Sequence, residues 1–231
     1  MSTQIQPDST QRVAKLLAEA DRFRLAGNMR DAERVCREAL GAFPDSPQVL
    51  NYLALLVRER GDLLEAESLF RRAIAAAPDE ASLHNNLGNL QRRMKDLVGA
   101  EYSLRMAIHL RPSYPEAYYN LGLVLLYRND IAGAYDSFYK ATWNAAWASP
   151  SYQRLAEIDC RNTEWNTALD HVDRSLKQNA ENLNALNLKA LILQKLERRD
   201  EARDVLVQIH CFDPLDLVHH YLSDEGVPAD G

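Results

Sequence analysis

The chain is poor in glycine and cysteine and has no long hydrophobic run. Its 231 residues hold nine glycines. None forms a phosphate-cradling loop, and no HExxH, GxSxG or DxDxDG pattern occurs. The three cysteines, Cys36, Cys160 and Cys211, never stand as a CxxC pair. That argues against a disulfide scaffold or a zinc ribbon and for a reducing, cytoplasmic setting. The longest apolar runs, such as Leu121–Tyr127, fall far short of the ~20 residues a bilayer requires. Met1–Gln11 is polar and has no signal-like apolar region. A basic excess is missing as well. Residues 1–115 carry 16 Lys+Arg and 15 Asp+Glu, and the remainder carries 11 and 18. Nucleic acid and membrane are therefore not expected partners. What is present, 46% hydrophobic and 26% charged residues, suits a folded globular chain.

The positive signal is a repeat. Pro44, Pro78, Pro112 and Pro214 are separated by 34, 34 and 102 residues, and 102 is three times 34. Six windows follow, starting at Val13, Pro47, Ala81, Pro115, Ser149 and Leu183. The eighth position reads Ala20, Ala54, Gly88, Gly122, Ala156, Ala190, and the twentieth is Ala32, Ala66, Ala100, Ala134, Ala168, Ala202. Small residues at these places let two antiparallel helices approach closely, while larger ones at positions four, seven, eleven and twenty-four fill between them. Gly27-Asn28, Gly61-Asp62 and Asn129-Asp130 read as the turns between the helices. Ser46-Pro47 and Ser149-Pro150 read as a cap followed by a first-turn proline.

The pattern resembles the tetratricopeptide repeat family over residues 13–214. The departures are Ala146 and Ala180 in place of proline, and Lys95, Thr163 and Glu197 in place of the turn glycine. The resemblance implies an all-α, right-handed solenoid of about six helix pairs. It implies a concave face of first helices that binds a peptide or protein segment, with no catalysis. Residues 1–12 are expected as a flexible leader, 215–222 as a short capping helix and 223–231 as a flexible tail. The first three windows resemble arrays that precede bacterial transferase domains. The last three resemble arrays of large bacterial carbohydrate-acting proteins. A hybrid, natural or engineered, or a piece of a longer protein is the expectation this raises.

On that resemblance, the peptide-facing residues are Asn51, Asn85, Asn86, Asn89, Arg92, Tyr119, Asn120, Tyr127 and Arg154. An amide both donates and accepts, so asparagine pairs with a peptide backbone whatever its sequence. A second reading stays open, in which Asn86, Asn120 and their neighbours hold adjacent helices together. Arg92, Arg93 and Arg154 are expected to select acidic side chains. Position five lacks the lysines of the family's carboxylate clamp. Ten of the eighteen aromatics fall between Tyr114 and Tyr152. Tyr135, Tyr139 and Trp143 share an i, i+4, i+8 spacing, and with Trp147 they are a candidate interface, self-association included. The alternative is that this stripe packs beneath the fifth repeat. His210, Cys211, His219 and His220 match no zinc spacing, and pairs such as Asp200-Glu201 complement helix dipoles. No metal, cofactor or catalytic group is expected.

Overall fold

The computed structural model describes residues 7–212. Twelve helices and no strand occur among them. They are α1 (Pro7–Leu25), α2 (Met29–Ala42), α3 (Pro47–Arg60), α4 (Leu63–Ala76), α5 (Ala81–Arg93) and α6 (Leu97–Leu110). The series continues with α7 (Pro115–Tyr127), α8 (Ile131–Ala141), α9 (Ala145–Arg161), α10 (Trp165–Gln178), α11 (Leu183–Lys195) and α12 (Arg199–Phe212). They fall into two compact units divided after Asn120, within α7. The expected cap helix 215–222, the tail 223–231 and the His219–His220 pair lie outside the described residues.

Each helix pair is punctuated by the same local chemistry. The residue before the second helix caps it in several repeats. Asp62, Asp96 and Asp130 accept from the amides of Glu65, Gly99 and Gly133 at 2.9–3.1 Å. The residue one step earlier is always left-handed. Gly27 and Gly61 have φ of 77° and 99°, and Lys95, Asn129, Thr163 and Glu197 have 66°, 62°, 61° and 59°. The three departures from glycine therefore keep the turn and accept an unfavourable backbone for it.

Close approach holds the pairs together. In the first unit a Cβ on Gly88 would lie 2.7 Å from Leu104 Cγ and 3.1 Å from the Ala100 carbonyl. In the second, a Cβ on Gly122 would lie 2.7 Å from the Phe138 ring. Ala20, Ala32, Ala54, Ala66, Ala100, Ala134, Ala156 and Ala168 are all fully buried. Small eighth and twentieth residues thus seat the large ones, Phe70 and Leu104 in the first unit and Phe138 in the second. A buried carboxylate adds a polar tie. Glu33 accepts from Arg37 and Arg60 at 2.6 Å each, and both arginines also reach Glu65. This links α2, α3 and α4.

Two boundaries differ from the sequence reading. Helix α1 starts at Pro7, so residues 7–12 are helical, and Arg12 lies over the Phe43 ring at 5.6 Å. Helix α9 starts at Ala145, with Asn144 as its cap, and Pro150 lies inside it. Ala146 occupies the place where proline precedes the next helix in earlier windows. Here helix begins four residues sooner, whereas after Ala180, which also replaces proline, α11 starts at the first residue of its window. Ser149 is then no cap: buried in α9, it lies 3.0 Å from Ser175 Oγ, which also donates to its carbonyl at 2.9 Å.

The strained turn gives a direct test. Thr163 is β-branched at φ 61°. Thr163→Gly is expected to stabilise the protein by about 1 kcal/mol, since a left-handed L-residue costs roughly that. A higher thermal midpoint by calorimetry supports this; a lower one contradicts it.

Candidate functional site: the first-helix face

The first helices of unit one are joined side by side through polar side chains. Between α1 and α3, the Tyr52 hydroxyl donates to Asp21 at 2.7 Å, and Arg24 Nε donates to Tyr52 at 3.2 Å. Tyr52, then Arg24, holds the Asp21 carboxyl below its ordinary range. Between α3 and α5, Asn86 donates to Asn51 at 2.9 Å. From α5 to the start of α7, Asn120 donates to Asn85 at 2.9 Å, and Asn85 donates to Glu116 at 3.0 Å.

These bonds divide the asparagines predicted from the sequence. Asn85 is 0% and Asn120 5% exposed. The expectation that these two contact a peptide is corrected here: their amides satisfy neighbouring helices, as buried polar groups must. Asn51 and Asn86 are half-buried and share a single bond. Asn51 uses its carbonyl and keeps its NH2 group; Asn86 uses its NH2 group and keeps its carbonyl. Asn89 is half-buried and accepts from Arg92 at 2.9 Å. Tyr119 is half-buried as well.

One residue at a position that the family resemblance puts on the concave face stands out. Arg58 of α3 is half-buried, and its Nε is buried with no hydrogen-bond partner. Arg92 Nε is in the same condition. Burial, then the nearby charge of Arg93, pulls the Arg58 pKa below its ordinary value. Arg24, Arg58 and Arg92 all hold position twelve of their windows, a column visible in the sequence once the period is known.

The second unit places its candidates differently. Arg154 pairs with Glu157 at 2.7 Å, so it is already engaged with an acid. Tyr127 is 58% exposed. The supposed single aromatic stripe is corrected. Helix α8 ends at Ala141, which leaves Trp143 in the following turn and Trp147 on α9. Tyr135 is half-buried and meets the His171 ring edge-on at 6.1 Å, while Tyr152 stacks on the same ring at 5.8 Å. His171 is itself buried against Asp159 at 2.6 Å. Burial raises the Asp159 carboxyl, and the His171 hydrogen bond opposes that rise. Tyr139 and Trp143 remain exposed, Trp143 at 77%.

The comparisons agree with this architecture. The family model described as tetratricopeptide repeat matches residues 17–81 and 58–115. No curated protein matches the sequence. A solved structure from the functional characterization of Pseudomonas aeruginosa pilF is similar at 22% identity and TM-score 0.80, over 94% of this chain and 99% of that one. PilW, a widely conserved type IV pilus biogenesis factor, is similar at 18% identity and TM-score 0.79, over 92% and 99%. YrrB, a TPR protein with an unusual peptide-binding site, is similar at 14% identity and TM-score 0.63, over 82% and 97%. Likeness at these identities speaks for the fold. The matched windows, residues 17–115, are tetratricopeptide repeats by that model, and the helix pairs after them continue the same architecture. No helix among the described residues is long and apolar enough to cross a membrane.

The two kinds of asparagine are separable by experiment. Asn85→Ala strips partners from Glu116 and Asn120 and is expected to cost about 1–3 kcal/mol. Asn89→Ala removes one half-buried bond, to Arg92, and is expected to cost under about 1 kcal/mol. Urea denaturation of both variants checks this; equal midpoints contradict it.

Proposed function

We propose that this chain is a non-catalytic interaction module that holds a peptide or protein segment in extended form against the first helices. The observation that carries this reading is the Asn51–Asn86 pair. Joined to each other, the two amides present one NH2 group from α3 and one carbonyl from α5. An extended backbone offers the complementary carbonyl and N–H. The amides are already fixed by their mutual bond, so binding orders little that was loose. Asn89, Arg92 and Tyr119 flank them.

Exposure of Tyr139 and Trp143 favours a second reading, self-association through the second unit. Light scattering with size exclusion across a concentration series separates the two. The module reading predicts a constant mass near 26.2 kDa. A mass that rises with concentration and returns to constant in Trp143→Ser supports self-association.

The module reading itself is tested with a random peptide library displayed against the immobilised chain. Enriched sequences are expected, and Asn51→Ala, Asn86→Ala together are expected to weaken their binding about tenfold, which is about 1.4 kcal/mol. A library that yields no enrichment contradicts the reading.

A further inference from the structure

The module reading leaves the chemistry of the bound segment open, and Arg58 narrows it. A guanidinium carries five N–H donors and no acceptor. In a folded protein a half-buried one is ordinarily met by a carboxylate. Arg24, one repeat earlier, has such a partner in Asp21 at 2.8 Å. Elsewhere in the unit, Arg37 and Arg60 have Glu33 and Glu65, Arg71 has Glu67, and Arg105 has Glu101. Of the half-buried arginines of the unit, Arg58 and Arg92 lack what Arg24 has. Among the described residues no carboxylate closes an ion pair with Arg58. Glu59 and Glu116 act on it only through their fields, and these rank below the repulsion from Arg93.

We infer that Arg58, with Arg92 and Arg93, forms the acid-recognition site of the face, and that its ligand is an extended segment with acidic side chains three residues apart. This inference rests on the module reading above. Arg58 and Arg92 occupy the same position of consecutive windows, on α3 and α5, and these helices lie side by side through the Asn86–Asn51 bond. Neighbouring packed helices stand about 8–10 Å apart. An extended chain of the polyproline-II kind advances about 3.1 Å per residue with three residues per turn, so side chains three apart share one face and lie about 9 Å apart. A carboxylate facing Arg58 thus places the carboxylate three residues on near Arg92 and Arg93. With Nε buried, Arg58 meets its acid end-on, through its two Nη nitrogens. Arg92 is held towards the same side by its bond to Asn89. A bound acid gives the Arg58 Nη nitrogens charged acceptors and offsets the Arg58–Arg93 repulsion. The amides of Asn51 and Asn86 would hold the backbone between the two acids.

A single nucleic-acid-like phosphate track is a poor fit. The face alternates arginine with Glu59 and Glu116, and residues 1–115 carry one net positive charge, 16 less 15.

The test uses the full chain and three labelled peptides of four triplets each: (Glu-Ser-Ala), the same with Gln for Glu, and the glutamates gathered in one block. Fluorescence anisotropy is expected to show the spaced glutamate peptide binding about tenfold tighter than either other, a step of about 1.4 kcal/mol. Arg58→Met keeps the apolar stem and is expected to remove that preference. Arg93→Gln, at an exposed position, is expected to fold as the parent does and to weaken it severalfold. Equal binding of the glutamine peptide, or of the blocked glutamates, overturns the spaced-acid site while leaving the module intact. So does a preference that survives in Arg58→Met. No binding of any of the three, with no enrichment from the random library, overturns both.

Discussion

The arrangement depends on how closely the two helices of each repeat approach. At Gly88 the gap to Leu104 and the Ala100 backbone excludes even a methyl group. That contact sets the distance between helices, and the 34-residue period then repeats it. Because the period is constant, a side chain at one window position meets the same neighbour in the next. Asn51 meets Asn86 and Asn85 meets Asn120, each 35 residues on. Tyr52 meets Asp21, and Glu116 meets Asn85, each across 31 residues. A polar face aligned this regularly follows from apolar packing on the opposite side of the same helices.

The polar bonds in turn decide which groups are left to bind. Donors and acceptors inside the repeat stack must be paired, or the fold loses stability. Asn85 and Asn120 are consumed in this way. Asn51 and Asn86 are only half consumed. Arg58 is placed by packing but given no acid. A recognition surface of this kind is therefore the remainder of a structural network, and its chemistry is read from what the network leaves unsatisfied. The pattern fits a module whose partner completes the hydrogen bonding of the first helices.

Much of this was legible in the sequence. Period, helix pairing, turn positions and the small-residue columns all follow from spacing, because close approach tolerates few residue types. The role of each asparagine was not. Asn85 and Asn86 are adjacent and chemically identical, and only the rotation of α5 makes one buried and the other half-open. Arg58 was legible as a concave-face position of its window but not as an unpaired group, because pairing is a property of three dimensions. The early start of α9 was not legible, because Ala146 stands in place of proline but so does Ala180, whose following helix starts on schedule. Tyr135 looked like part of an exposed stripe because its partner, His171, lies 36 positions away. Lys95, Thr163 and Glu197 looked like breaks in the turn, whereas the backbone is left-handed at each. Tertiary packing overrides the local preference there.

The central claim is that side-chain amides stitch the first helices into a fixed face. Side-chain amide resonances of asparagine by nuclear magnetic resonance test it most directly. The Asn85 and Asn120 NH2 protons are predicted to be shifted from random-coil positions and slow to exchange, with Asn51 and Asn86 intermediate and Asn166, exposed on α10, fast. If Asn85 and Asn120 exchange as fast as Asn166, the stitched face does not exist and the account built on it fails.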